Sequence, residues 1–342
     1  MMSSPSQVTS FKVNPFFQPL EEELKATVDF LQGLLPPEAL PLADATGYSL
    51  ETLGKLVRPA MVHSLWQVIT QKPSDARVVK LAAVTEMIHL ATLLHDDVLD
   101  ESDLRRGVPT VRQQFGNRLA ILGGDWLLAQ ASQTLASLGD VTLVSLYAKV
   151  LAELCEGEVL QDALAFQPLA TITWDAYVQK TYKKTASLYV CAMQAVAVLA
   201  EADAPTQQAA ITFGRAFGMA FQFKDDLLDY TADRETAGKP ILDDIRNGLA
   251  NAPVLLAFQA YPDQQDTLQA AVQRVFDAVQ ASSELGTIDE ACLALKTLIT
   301  DLGAIQSTEA LIQDTCQDAQ SVLAQWPQKA PAWSILNRLI QP

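Results

Sequence analysis

The sequence predicts an all-α protein with ten or more helices, and three observations carry that expectation. From about Leu20 onward, apolar residues recur at three- and four-residue steps almost to the end, the signature of amphipathic helices. Alternating strand-like runs bounded by turn dipeptides are absent, and the one Asn-Gly pair, Asn247-Gly248, does not lie between two such runs. Glycine and proline fall mainly in breaks between the helical stretches, at 35–37, 71–75, 101–117, 202–205, 233–253 and 327–331.

Taken in order, residues 1–15 are Ser/Pro-rich and read as a mobile N-terminal segment, with residues 16–342 as one domain. Leu81, Val84, Ile88, Ala91, Leu94 and Val98 mark one face of a long helix. Leu127, Ala131, Leu135 and Leu138 mark another, and Val150, Leu154 and Val159 a third. A length of 342 residues suggests about two domains at roughly 150 residues each. No composition shift divides the chain, so one domain is expected, with a split near residue 203 as the alternative.

With 49% hydrophobic residues the chain has ample material for a core, which excludes a disordered protein. Lys and Arg number 24 against 40 Asp and Glu, a net charge of −16, which argues against a nucleic-acid binder. A phosphorylated substrate stays open, because a few basic groups or metal ions can supply positive charge locally. Cys155, Cys191, Cys292 and Cys316 lie far apart, without zinc spacing, and read as core thiols of a cytoplasmic protein. No secretory signal or transmembrane segment is expected, since the longest nearly apolar stretch, 188–200, is too short to span a bilayer.

Two acidic clusters share one internal spacing: Asp96-Asp97-Val98-Leu99-Asp100 and Asp225-Asp226-Leu227-Leu228-Asp229. On a helix, residues four apart are neighbours, so Asp96 with Asp100, and Asp225 with Asp229, aim two carboxylates at one point. Each cluster follows a strongly apolar stretch and lies toward its C-terminal end, where the helix dipole disfavours negative charge. Hard oxygen donors without a His or Cys cluster suit Mg2+. A single such pair would read as a solvated acidic face; two of them read as metal sites. Basic residues stand beside glycine or proline: Lys55 and Arg58-Pro59, Arg105-Arg106-Gly107, and Gly238-Lys239-Pro240. With Lys184-Thr185 they complete a set suited to two diphosphates.

At this point the sequence resembles the trans-isoprenyl diphosphate synthases (polyprenyl synthetases) over roughly residues 50–255. The run from His95 to Asp100, followed by Arg105-Arg106-Gly107-Val108-Pro109, is similar to the family's first aspartate-rich motif. Gly123-Gly124-Asp125-Trp126-Leu127-Leu128, Lys184-Thr185-Ala186-Ser187-Leu188 and the run from Phe221 to Asp229 continue the likeness, with Gly238-Lys239-Pro240 behind. The resemblance implies an isoprenoid-synthase fold around a central active-site cavity, in a homodimer.

It further implies head-to-tail condensation of an allylic prenyl diphosphate with isopentenyl diphosphate, using about three Mg2+ ions. Asp96, Asp100 and Asp225 are implied as the principal ligands, supported by Asp97, Asp226 and Asp229. Arg105, Lys184, Thr185, Gln222 and Lys239 are implied to hold the allylic diphosphate. Lys55, Arg58, His89 and Arg106 are implied to hold isopentenyl diphosphate; on its own, His89 reads equally as a core histidine. Asp96, Asp100, Asp225, Lys184 and Lys239 are the implied catalytic groups.

Ala91 and Thr92, five and four residues before Asp96, occupy the family's chain-length positions. Both are small, so a product of twenty carbons or longer is expected, such as a quinone side-chain precursor. Such a product leaves peripheral membrane contact open. Leu242-Asp243, Leu249 and Asn251 depart from the family's pattern. The rival readings are a class I terpene cyclase, a non-catalytic regulatory subunit of a prenyl synthase, and an all-α interaction protein. The second full acidic cluster speaks against all three.

Overall fold

The computed structural model describes residues 13–36, 41–231 and 242–341. Its helices are α1 (Glu21–Gln32), α2 (Pro41–Glu51), α3 (Val57–Thr70), α4 (Ala76–Leu99), α5 (Val111–Phe115), α6 (Asn117–Ala136), α7 (Val141–Leu164), α8 (Trp174–Thr181), α9 (Ser187–Leu199) and α10 (Ala204–Thr231). Further helices follow at Asp243–Arg246, Ala252–Ala260, Gln265–Gln280, Leu285–Asp301, Ala304–Leu323 and Pro331–Leu339. The all-α expectation holds, with one correction. Within the break at 101–117, β1 (Leu104–Arg105) pairs antiparallel with β2 (Val108–Pro109). The turn between them, Arg106-Gly107, has φ of 54° and 78°, the left-handed pair that a tight two-residue hairpin requires. Arg106-Gly107 escapes a search for Asn-Gly or Asp-Gly, and each strand has two residues, too few for visible alternation.

The chain forms two compact units, rather than dividing once near residue 203. One comprises Met1–Ala148, Cys191–Ile211 and Leu323–Leu339; the other comprises Lys149–Val190, Thr212–Val322 and Ile340–Pro342. The boundaries fall inside α7, α9, α10 and the helix Ala304–Leu323, which explains why no linker composition marks them.

In the first unit α4 packs chiefly on α6, and also on α3 and α1. Asp75 caps α4 by accepting the backbone N–H of Arg77 at 2.8 Å, and the Arg77 side chain lies over Trp66. Leu81, Val84, Ile88, Ala91 and Leu94 are buried along one line, as their spacing predicts. The close contact of α4 with α6 depends on Gly124, where a Cβ would lie 2.2 Å from His95 Nε2. That nitrogen donates instead to the Ile121 carbonyl at 3.1 Å. Near the start of the unit, Asn14 caps a short helical turn at Pro15–Leu20, while residues 1–12 of the expected mobile segment lie outside the described residues.

The second unit has a core built on Leu268, Val272, Val275 and Phe276 with Leu295 and Ile299. Phe166 lies edge-on to Phe276 and receives the Gly248 carbonyl on its N–H at 2.8 Å. The Asn-Gly pair therefore ends the helix Asp243–Arg246 beneath an aromatic ring instead of turning a hairpin. Gly248 has φ 79°, and a Cβ there would meet the Phe166 ring at 2.5 Å.

Two core expectations are corrected. Val159 is 67% exposed, and Cys155 is exposed while the other three cysteines are buried. Both lie on α7, whose apolar spacing does not distinguish a core face from an outward one. Among the described residues α4 alone has the length and apolarity to cross a membrane, and 67% of its most apolar window is buried within the protein.

His63 is completely buried on α3 between Thr27 and Ser74. Thr27 donates its hydroxyl proton to the Glu23 carbonyl, so it accepts from His63 Nε2–H, and His63 Nδ1 accepts from Ser74. Burial depresses the imidazole from 6.5 to about 3. The unfolded chain therefore takes up a proton below pH 6.5 that the folded protein refuses until about pH 3, and stability falls with pH across that window. In urea titrations between pH 7 and 4, His63→Gln is expected to flatten this loss by up to about 1.4 kcal/mol per pH unit relative to the parent chain.

Candidate active site

The first acidic cluster ends α4, with Asp100 as the cap residue. Adjacent side chains on a helix diverge by about 100°, so Asp97 cannot face the same way as Asp96 and Asp100. Asp97 is turned inward, 3% exposed, whereas Asp96 is half-buried and Asp100 exposed. Arg105 from β1 donates from both Nε and Nη2 to Asp97 Oδ1 at 2.8 Å. Burial pushes the Asp97 carboxyl up, and Arg105 with Arg112 opposes that. Arg112 also holds the loop between α4 and β1, donating to the Glu101 carbonyl at 2.9 Å and to Asp103 at 2.6 Å.

The hairpin sends its two arginines apart. While Arg105 meets Asp97, Arg106 in the left-handed turn lies against Gly54 and donates to the Thr52 carbonyl at 3.3 Å. A Cβ on Gly54 would come within 2.5 Å of Arg106 Nη1, so only glycine accepts the guanidinium there. Arg58 enters from the first turn of α3, and Lys55 is exposed just before it. His89 is partly buried; burial lowers its pKa well below the usual value, with Arg58, Arg106 and Arg105 adding to the effect. Arg58, His89 and Arg106 are thus within electrostatic reach of one another.

The second cluster occupies the last turns of α10. Asp226 is 1% exposed and accepts three bonds: Tyr177 Oη at 2.5 Å, the Ala252 backbone N–H at 2.9 Å and Gln222 Nε2 at 3.0 Å. Burial, then Asp226, keep Tyr177 protonated and hence a donor. Gln222 in turn accepts from the Thr185 hydroxyl at 2.9 Å. Asp225 is exposed. Asp229 accepts from the backbone N–H of Asp243 at 2.8 Å and of Asp244 at 3.2 Å, so it caps the helix Asp243–Arg246.

Lys184 and Thr185 stand on a π-turn, Tyr182–Ala186, between α8 and α9. Two glycines admit that turn. A Cβ on Gly157 would lie 2.6 Å from the Lys184 nitrogen, and one on Gly218 would lie 2.6 Å from Ala186 Cα. Lys184 pairs with Glu158 at 2.6 Å and Lys183 with Glu156. Lys239 lies outside the described residues, as do Gly238 and Pro240.

Three groups here were not singled out from the sequence: Lys180, Asp244 and Tyr177. Asp244 is pushed up to about 7 by burial and by Asp226 and Asp229, against Asn251 and Lys180. Asp229 is pushed up to about 6, chiefly by burial, with its two backbone bonds opposing. Asn251 departs from the family's pattern yet is built in, accepting from Tyr230 Oη at 2.9 Å and donating to Asp244 at 3.2 Å. A third aspartate pair, Asp243-Asp244, was the available signal, but the partners of Asp244 come from α8, α10 and the start of the helix Ala252–Ala260.

The donor set suits a hard divalent cation. Carboxylates raised by burial and by neighbouring carboxylates are relieved by a cation as they are by protons. Among the described residues no three His, Cys, Asp or Glu side chains converge enough to hold a metal by themselves. An ion here would complete its coordination with water and ligand oxygens, the habit of Mg2+. Asp97 and Asp226, placed among the metal-binding residues by the sequence, have their carboxylates engaged by protein donors. Of the chain-length positions, Ala91 is fully buried, and Thr92 is half-buried with its hydroxyl on the His89 carbonyl at 2.8 Å. Gly157→Ala is expected to cost about 1–3 kcal/mol in urea unfolding, whereas Gly47→Ala, with open space around it, is expected to be neutral or to stabilise by up to about 1 kcal/mol.

Residues 41–287 match the Polyprenyl synthetase family. A prenyl transferase of Synechocystis sp. is 35% identical over 322 residues, covering 94% of this chain and 95% of that one. The crystal structure of a decaprenyl diphosphate synthase from Rhodobacter capsulatus superposes with a TM-score of 0.83 at 30% identity, covering 95% of this chain and 96% of the other. A polyprenyl synthase from Caulobacter crescentus, crystallised with calcium and isoprenyl diphosphate, superposes with a TM-score of 0.83 at 28% identity over 97% of both chains. With two aspartate-ended helices, each fixed by an inward carboxylate, the chain belongs to the polyprenyl synthetase family and is a prenyl-transferring enzyme, a trans-polyprenyl diphosphate synthase.

Proposed function

We propose that this enzyme condenses isopentenyl diphosphate head-to-tail with an allylic diphosphate in a Mg2+-dependent reaction, extending the product to twenty carbons or longer. The observation that carries the reading is the shared build of the two acidic helix ends. In each, one aspartate is locked inward by protein donors; Asp100 and Asp225 are left exposed, Asp96 is half-buried, and Asp229 is half-buried and engaged by the N–H groups of Asp243 and Asp244. Asp96 and Asp100 on α4, and Asp225 with Asp229 on α10, are the residues that would hold about three ions.

Magnesium, when bound, draws charge from diphosphate oxygens and makes the diphosphate a better leaving group. The protein's part is to bind and orient. Lys184, Thr185, Gln222 and Arg105, with Lys239, hold the allylic diphosphate. Arg58, Arg106, His89 and Lys55 hold isopentenyl diphosphate. His89 suits this role as a neutral imidazole, because burial and the nearby arginines disfavour its charged form. The allylic C–O bond breaks as diphosphate leaves, the isopentenyl double bond forms the new C–C bond, and the released diphosphate takes the proton. The chain need supply no nucleophile.

A long product is supported by small Ala91 and Thr92 and by the decaprenyl synthase that shares the fold. A homodimer is supported by outward apolar residues: Ile121 and Leu122 on α6, and Val141, Val144 and Val159 on α7. The reading also places the enzyme in the cytoplasm, where buried thiols such as Cys292 and Cys316 stay reduced.

Incubation with isopentenyl diphosphate, Mg2+ and allylic primers, followed by mass spectrometry, is expected to give a ladder ending at a defined length of at least twenty carbons. EDTA should abolish turnover, and Asp96→Ala or Asp225→Ala should lower kcat by at least about 100-fold. No turnover with any primer by a protein that still binds diphosphate would refute condensation. Thr92→Phe is expected to shorten the product; an unchanged distribution would show that Thr92 does not limit chain length.

A further inference from the structure

Two glutamates of α7 meet two lysines of the π-turn on either side of Gly157. Lys183 pairs with Glu156, and Lys184 pairs with Glu158 at 2.6 Å. Gly157 lets the two backbones approach, since a Cβ there would lie 2.6 Å from the Lys184 nitrogen. The pairs differ in shelter. The Glu156 side chain is 58% exposed, whereas that of Glu158 is 17% exposed and that of Lys184 24%. Water and salt screen an exposed pair far more than a sheltered one.

Glu158 is held at both carboxylate oxygens. Gln161, three residues further along α7, donates from Nε2 to Oε1 at 3.2 Å, and Lys184 Nζ lies on Oε2. The charge of Lys184 is therefore already answered from within the protein. A diphosphate that takes up Lys184 has to draw it from Glu158. The carboxylate left behind then faces a second anion, and like charges at short range repel.

We propose that Glu158 is a positioning residue that occupies Lys184 in the empty enzyme in place of the allylic diphosphate, and that weakens the affinity for that substrate by competing for the lysine. The inference rests on the assignment of the allylic diphosphate to Lys184. Glu158 takes no part in the bonds that break and form, so its effect passes through Lys184 and falls on one substrate.

The test is steady-state kinetics of the full-length Glu158→Gln enzyme with Mg2+, each substrate varied while the other is saturating, with a fifteen-carbon allylic diphosphate as the primer. The side chain keeps its size and its bond to Gln161 and loses its charge. KM for the allylic diphosphate is expected to fall about fivefold while KM for isopentenyl diphosphate stays within about twofold. Damage to the fold would raise KM, not lower it. Calorimetric titration with the allylic diphosphate alone should show the same tightening. Glu156→Gln removes an equal charge from the exposed pair and should leave both KM values within about twofold of the parent enzyme. An allylic KM that is unchanged or raised in Glu158→Gln would overturn the proposal, as would equal falls in both KM values or an equal fall in Glu156→Gln. Lys184→Ala separates the premise from the inference. If it leaves the allylic KM unchanged, the substrate assignment fails and the inference with it. If it raises that KM while Glu158→Gln does not lower it, only the role of Glu158 fails.

Discussion

A buried carboxylate must be paired, and in each acidic cluster that requirement fixes everything around it. A lost partner would leave an uncompensated charge, at a cost of several kcal/mol. Asp97 is satisfied by Arg105, which draws the hairpin onto the end of α4 and turns Arg106 the opposite way, toward Gly54 and Thr52. Asp226 is satisfied by Gln222 one turn earlier on α10, by Tyr177 and by the first N–H of the helix Ala252–Ala260, which brings α8 and that helix onto α10. In both clusters the locked residue sets the rotation of its helix, and that rotation leaves Asp100 and Asp225 exposed.

Glycine marks the places where this arrangement needs more room than any side chain allows. Gly54 admits the Arg106 guanidinium, Gly124 the His95 ring, and Gly157 the backbone of Lys184. Each of these glycines therefore makes room for a residue on a neighbouring element instead of making its own chain flexible. The π-turn at Tyr182–Ala186 shows the same logic: an irregular stretch between α8 and α9 is held by tight packing on two sides, so Lys184 and Thr185 sit on a constrained backbone.

Local charge in this protein runs against the whole. The chain carries a net −16, yet Arg58, Arg105 and Arg106 gather in one region of the first unit. In the second unit, burial, with Asp226 close by, raises Asp229 to about 6 and Asp244 to about 7. Each region thereby has an electrostatic preference for charge of the opposite sign.

The sequence by itself determined the fold class and the family. Apolar spacing of three and four residues is a property of the chain alone, and so is the placing of two aspartates one turn apart. The motifs around Asp96, Lys184 and Asp225 disclosed the family for the same reason. Tertiary structure decided what spacing leaves undetermined. Whether an apolar residue such as Val159 faces a core depends on what packs against it, and here nothing in the chain covers it. The inward turn of Asp97 and Asp226 required donors eight residues or more away in sequence. The hairpin at Arg106-Gly107 required the contacts of Tyr48 and Arg112, because two residues per strand cannot hold together alone. Glu86 reads from the sequence as an ordinary charge on a helix, and only the packing around α4 buries it to 4% exposure, since burial follows what is near in space and not separation along the chain.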